Sequence, residues 1–224
     1  MLGWIICREG RAAGPECCTV EGVTVCRLCT PPPRRRRERR CLAAALQDMY
    51  RCGVRRAVVE GGMEAEVLRA GILPIDGSPL REALLPQLMD WVDREWQLSL
   101  RSGTVQITAG RAEERVYRAA AAAARAARYV RLAVAVGQEE LEALLSRRMG
   151  LAGGGRPVLE ICLDGEPCAG VPWLDIGRGC AERQSVLLAA GGRTDMPESL
   201  LCVLHREERL PIEAIQVRFV EFRA

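Results

Sequence analysis

Lysine is absent from this chain, and all 32 of its basic residues are arginine. A Walker A phosphate-binding loop and the ATP site of a protein kinase each require a lysine. A pyridoxal-phosphate enzyme needs one too, because its cofactor forms a Schiff base with a lysine amine. The composition therefore excludes these three classes, whereas ordinary solvated surfaces accept arginine in place of lysine.

Histidine and aromatic residues are also scarce: His205 is the single histidine, and aromatic side chains make up 4% of the chain. One histidine excludes zinc sites that use a pair of histidines. No uncharged run approaches the about 20 apolar residues of a membrane span. The apolar start, residues 1–7, has no basic segment before it and predicts a first strand rather than a signal peptide. These features predict a cytoplasmic protein without a membrane partner.

Positive charge is concentrated in one short segment. The net charge is +3, but residues 34–40 alone contain six arginines and one glutamate, so the rest of the chain is slightly acidic. Contact of Arg34–Arg40 with nucleic acid or another acidic partner is one interpretation of this run. The favoured interpretation is an exposed helix start or linker, because adjacent arginines repel one another in favour of a solvated segment, arginine is a good helix former and no aromatic residues are interleaved for base stacking.

Cysteine is abundant: the chain has eleven, most of them in its first quarter. Cys26 and Cys29 form a CxxC pair, which in a tight turn can direct two thiolates at one tetrahedral ion. With Cys7 and either Cys17 or Cys18 as a second, less regular pair, the sequence offers a candidate zinc site at Cys7, Cys17, Cys26 and Cys29, and it identifies no cofactor beyond this candidate. The alternatives are reduced, partly buried thiols in short strands, which we favour, and a redox pair.

The rest of the chain alternates between strand-like and helix-like patterns. Residues 104–164 run β-α-β-α-β, the layout of half a Rossmann-type domain. We therefore expect an α/β fold with a mostly parallel sheet and helical crossovers, preceded by a small Cys-rich β segment. The expected division is 1–33 for the Cys-rich segment, 34–103 for a first α/β section and 104–224 for the Rossmann-like section. The alternative is a single body over 34–224.

Ligands of parallel sheets bind beside the carboxyl ends of the strands. Glycines next to acidic residues follow several of the expected strands and are the candidate ligand-binding positions: Glu60, Gly61, Gly62, Asp76, Gly110, Gly137 and Asp164. Ordinary turn chemistry is the competing explanation, since Asp-Gly is a favoured turn dipeptide. A dinucleotide fingerprint needs three glycines after the first strand, and the chain offers only Gly110 there.

No catalytic set is recognisable in the sequence, which has no GxSxG nucleophile elbow. The leading hypothesis is an α/β protein, either non-catalytic or with a cryptic activity, that binds a small ligand or a protein partner. One alternative is a Rossmann-like enzyme with a degenerate nucleotide-binding fingerprint. The other is a zinc-stapled adaptor for nucleic acid or a protein partner.

Overall fold

The computed structural model describes residues 1–9, 13–149, 154–177, 184–191 and 196–224. The chain forms two compact units, and each contains two segments of sequence. Unit 1 is Met1–Gly77 with Met196–Pro211, and unit 2 is Ser78–Asp195 with Ile212–Ala224. The predicted division into 1–33, 34–103 and 104–224, with 34–224 as one body in the alternative, stays a prediction.

Strands and helices alternate along most of the chain. The strands are β1 Leu2–Cys7, β2 Glu16–Val20, β3 Val23–Thr30, β4 Arg56–Val59, β5 Leu73–Pro74, β6 Thr104–Arg111, β7 Tyr129–Val136, β8 Leu159–Cys162, β9 Trp173–Asp175, β10 Val186–Ala190 and β11 Ile215–Val220. The helices are α1 Arg36–Arg51, α2 Glu64–Arg69, α3 Ser78–Ala83, α4 Leu85–Trp96, α5 Glu114–Ala126, α6 Gln138–Met149 and α7 Glu198–Arg206. None of the helices in these described ranges is both long and apolar enough to cross a membrane.

Unit 1 is built on a five-stranded sheet in the order β2-β3-β1-β4-β5. The pairs β3-β1, β1-β4 and β4-β5 are parallel, and β2 is an antiparallel edge strand. The predicted Cys-rich segment therefore contributes strands to the same sheet as β4 and β5. Helix α1 connects β3 to β4, so the chain passes over the central strand β1 between them.

Both faces of this sheet are covered within unit 1. Apolar side chains of α1 and α2, such as Leu46 and Val67, pack with Ile5 and Leu28 of the sheet in one core. On the other face, Leu200 and Leu204 of α7 form a second core with Val58, against which Leu2 and Trp4 of β1 also pack. Alternate residues of β1 enter opposite cores, as the two-residue period of a strand requires.

Unit 2 contains a four-stranded parallel sheet in the order β7-β6-β8-β9 and an antiparallel pair, β10-β11. Helix α4 packs against β11. Trp91 forms an edge-to-face ring pair with Phe219 of β11, and Trp96 forms another with Phe222, just after the strand. Helices α5 and α6 connect successive parallel strands. The predicted α/β fold with a mostly parallel sheet and a Rossmann-like layout is confirmed.

Candidate functional site

The CxxC pair lies in a strand rather than in a tight turn. Cys26 and Cys29 both belong to β3, where successive side chains point to opposite faces of the sheet. Residues three apart therefore point in opposite directions. Cys26 is buried in the core under α1, and Cys29 is half-buried. The described geometry therefore does not support convergence of these two thiols on one metal ion, and zinc binding by them stays a prediction.

Of the other two predicted zinc ligands, Cys17 lies beside Cys26 and Cys7 does not. Cys7 lies opposite Thr30 in the register of β1 and β3, whereas Gly3 lies opposite Cys26, which places Cys7 four positions further along the sheet. Four positions in a strand correspond to about 13 Å. Cys17 lies opposite Cys26 in the register of β2 and β3, and it lies opposite neither of the other two candidate ligands. Within the described ranges, no group of three or more His, Cys, Asp or Glu residues is arranged to hold a metal ion.

Unit 1 contains a cavity of about 360 Å³ at the carboxyl end of β3, which we call the α1 cavity. The end of β3 and the first turns of α1 contribute its walls, and Ala13 and Gly14 close it on a third side. Most of the surrounding side chains are apolar, including Leu28, Leu42 and Ala45. An apolar, largely preformed cavity of this size is typical of a small-molecule site.

Charged and polar groups lie along one part of the same cavity: Arg37, Glu38, Thr30 and Cys41. The Glu38 carboxylate accepts hydrogen bonds from the backbone N–H groups of Arg34 at 2.8 Å and Arg35 at 2.9 Å. These two bonds, aided by the neighbouring guanidinium groups, hold the pKa of Glu38 below its usual value. Glu38 is therefore ionised and bound to its own helix start.

The arginine run forms the start of α1, and its six arginine side chains are exposed. Arg34 pairs with Glu9 at 3.5 Å, whereas Arg37 has no salt bridge with any residue of the described ranges. Cations at a helix N-terminus oppose the helix dipole. The α1 cavity itself is lined by one cation, Arg37, and one carboxylate, Glu38, while the other five arginines of the run lie outside its lining. Of the two interpretations of this run, an exposed helix start or a linker, the fold agrees with the helix start.

The predicted strand-end positions of unit 1 lie outside the α1 cavity. Glu60 follows β4 and accepts a hydrogen bond of 2.6 Å from the Trp4 indole, so a structural contact occupies its carboxylate. Gly61 has a φ of +82° and lies directly over Cys7, while Gly62 faces open space. Asp76 follows β5 and is half-buried. Their role in ligand binding stays a prediction.

In unit 2 the structure brings two of the predicted positions together. Gly110 is the second-last residue of β6, and its N–H donates a hydrogen bond to Asp164 Oδ1 at 2.6 Å. The strands β6 and β8 are neighbours whose connections leave in opposite directions, to β7 and β9, and such a switch point is the usual ligand crevice. Gly137 follows β7 and lies against Ala112 instead. Ligand binding by these residues stays a prediction.

The sequence reasoning missed a polar cluster on the same two strands. Glu160 of β8 is fully buried, and its carboxylate accepts hydrogen bonds from the Thr108 hydroxyl, from Gln106 Nε2 at 3.3 Å and from the Cys168 N–H at 2.8 Å. Gln106 lies opposite Glu160 in the register of β6 and β8. The cluster fixes the chain around Cys168 to the sheet. Its one sequence signal is a glutamate inside the apolar run 158–163.

No protein-family model matches this chain, and no curated protein matches it at a significant level. We therefore infer a function from the geometry of the described residues.

Proposed function

We propose that this protein binds a small ligand, with an apolar body and one anionic group, in the α1 cavity of unit 1. The observation that carries the proposal is the apolar cavity of about 360 Å³ at the carboxyl end of β3. Small-molecule sites are usually preformed clefts of this kind, with a few polar groups that orient the ligand. The proposal develops the leading hypothesis, a protein that binds a small ligand or a protein partner.

The apolar body of the ligand would contact Leu28, Leu42 and Ala45. Leu28 and Leu42 already belong to the core of unit 1, so their positions are set by packing that exists without the ligand. A ligand would remove the remaining exposed apolar surface of the cavity from water. This transfer contributes about 25 cal/mol for each Å² that is buried.

The anionic group would lie beside Arg37. The carboxylate of Glu38 also borders the cavity, but two backbone N–H groups bind it, so it competes weakly for the guanidinium. Arg37 is exposed, so its contribution to affinity is expected to be small, up to about 1 kcal/mol.

The geometry favours this function over the two alternatives. The N–H of Gly110, the one glycine at the expected nucleotide loop, is already bonded to Asp164. The four candidate zinc ligands are spread over both faces and several positions of the unit 1 sheet. Contact of Arg34–Arg40 with nucleic acid or a protein partner stays a prediction.

The experiment uses anilinonaphthalene sulfonate, a fluorescent probe that has apolar rings and one anionic group. We expect saturable binding to the native chain. Ala45→Trp places a large ring in the cavity and should weaken binding by about tenfold, the equivalent of about 1.4 kcal/mol. Ala44→Trp is the matched control, because Ala44 is the exposed neighbour on the same helix and does not line the cavity.

Arg37→Gln tests the anionic contact and should weaken probe binding by about threefold, as an exposed ion pair allows. Arg36→Gln removes the same charge from a residue that does not line the cavity, and it should change the affinity less. Equal binding by the Ala45→Trp and Ala44→Trp variants would place the probe elsewhere and refute the proposal.

A further inference from the structure

The hairpin of β2 and β3 has a turn that fixes its register. Glu21 and Gly22 connect the strands, with φ values of +46° and +79°. Positive φ at both central residues defines the type I′ turn, which suits two-residue hairpins. In the resulting register Val20 lies opposite Val23, and Cys17 lies opposite Cys26. The turn therefore decides which cysteine of β2 meets Cys26.

The position of this pair in the ladder is favourable for a disulfide. In an antiparallel ladder, hydrogen-bonded and non-hydrogen-bonded pairs alternate, and the pair that closes a two-residue turn is hydrogen-bonded. Three rungs beyond Val20 and Val23, Cys17 and Cys26 form a non-hydrogen-bonded pair. The Cα atoms of such a pair are about 4.5 Å apart, which lies within the span of a disulfide.

The two thiols differ in their surroundings. Cys17 is exposed on β2, an edge strand with no neighbour on its outer side among the described residues. Cys26 is buried, and burial raises the pKa of its thiol, with a further increase from the adjacent Cys17. Cys18, the neighbour of Cys17, lies opposite Val25 and points to the other face of the sheet. Cys17 is thus the thiol that a soluble reagent reaches first.

We propose that Cys17 and Cys26 are a thiol–disulfide exchange site, oxidised to a cross-strand disulfide by a small disulfide such as oxidised glutathione. The Cys17 thiolate attacks one sulfur of the oxidant, forms a mixed disulfide and releases one glutathione thiolate. The Cys26 thiolate then attacks Cys17 Sγ and releases the second glutathione. Two protein thiols are oxidised, one glutathione disulfide is reduced, and the two thiol protons pass to solvent or to the released thiolates.

This site goes beyond the proposed ligand binding and does not depend on it. Its chemistry follows from the thiolate requirement of exchange. Because burial disfavours the thiolate of Cys26, the second step should become faster as the pH rises. The disulfide would fix β2, the edge strand, to β3.

The test exposes the reduced full chain to oxidised glutathione, alkylates the remaining thiols and maps the peptides. Trypsin alone leaves both cysteines in one peptide, because no arginine lies between them. A second protease that cleaves after glutamate cuts at Glu21 and separates them. We expect the peptides that contain Cys17 and Cys26 to stay joined, and reduction to separate them.

Two serine variants identify the partner. Cys17→Ser removes an exposed thiol and should abolish the joined peptides, whereas Cys18→Ser, the matched control on the same strand, should keep them. Cys52 and Cys18 are the other two thiols whose proximity affects Cys26. A Cys26–Cys52 bond, loss of the bond in Cys18→Ser alone, a Cys17 that carries only glutathione, or no bond at all would each overturn the proposal.

Discussion

At the scale of single residues, comparison of two adjacent glycines distinguishes the cost of backbone strain from the cost of steric overlap. Gly61 and Gly62 both have positive φ, +82° and +76°. A Cβ at Gly61 would overlap with Cys7 Cβ, whereas a Cβ at Gly62 would have no neighbour within 4 Å. The sequence identified both residues, but only the structure distinguishes their roles.

Gly61→Ala should therefore destabilise the protein more than Gly62→Ala. The second change costs only the left-handed conformation of an alanine, about 1 kcal/mol. The first adds a collision with Cys7 and should reach about 3 kcal/mol in total. Urea unfolding of the two variants, with the free energy of unfolding compared to the parent chain, measures the difference. Equal losses of unfolding free energy in the two variants would mean that an alanine at position 61 does not overlap with Cys7.

The candidate sites were only partly predictable at this scale. Gly110 and Asp164 follow the strand-end rule, so the sequence placed both at one edge of a parallel sheet, and the structure joins them by a hydrogen bond. Glu160 could not be identified as part of a cluster. Its partners Thr108 and Cys168 come from another strand and from a later segment, and their approach depends on the register of β6 and β8.

At the scale of elements, the start of α1 combines an unfavourable and a favourable feature. Arginines fill the first turn, which opposes the helix dipole, and Glu38 offsets this by accepting the N–H groups of Arg34 and Arg35. Folding lowers the pKa of Glu38. Its stabilising effect is therefore complete above the unfolded-state pKa and is lost as the pH falls through the lower folded-state pKa.

Glu38→Gln should destabilise the protein at about pH 7 and have less effect at about pH 3, where the parent carboxylate is also protonated. Thermal unfolding of the parent chain and the variant across this pH range measures the difference between their melting temperatures. Glu64→Gln controls for the loss of one carboxylate, because Glu64 is also in the first turn of a helix, α2, and its carboxylate has no hydrogen bond or ion pair with any residue of the described ranges. A difference in melting temperature between the parent chain and Glu38→Gln that is the same at every pH would contradict the capping role.

The CxxC motif shows that the secondary structure around a motif can decide where its side chains point. The spacing of Cys26 and Cys29 suits a metal-binding turn, but the intervening residues continue a strand that pairs with β1 and β2. Backbone pairing on both sides outweighs a local turn, and the strand period then separates the two thiols. The spacing alone carries no information on this competition.

At the scale of the whole molecule, the last residues of the chain belong to both units. Met196–Pro211 supplies α7 to unit 1, and Ile212–Ala224 supplies β11 to unit 2. Leu200 and Leu204 of α7 are fully buried in the second core of unit 1. Neither unit is therefore completed before the C-terminal region has been synthesised.

Two truncations test this arrangement by hydrogen exchange. A chain that ends at Pro211 lacks β11, so the amides of β10 should lose protection while those of β4 keep it. A chain that ends at Asp195 also lacks α7, which uncovers Val58, so the amides of β4 should lose protection as well. Unchanged protection of β4 in the shorter chain would show that α7 is dispensable for unit 1.

The sequence by itself determined the fold class and the reaction classes that lack of lysine excludes. Hydrophobic periods and turn residues are local properties, so the helix start at the arginine run and the β-α-β-α-β order of residues 104–164 could be read directly. Only the tertiary structure decided which thiols meet, where the α1 cavity opens and what surrounds Glu160. Each of these depends on strand order and register, which join residues distant in sequence and leave no local signal.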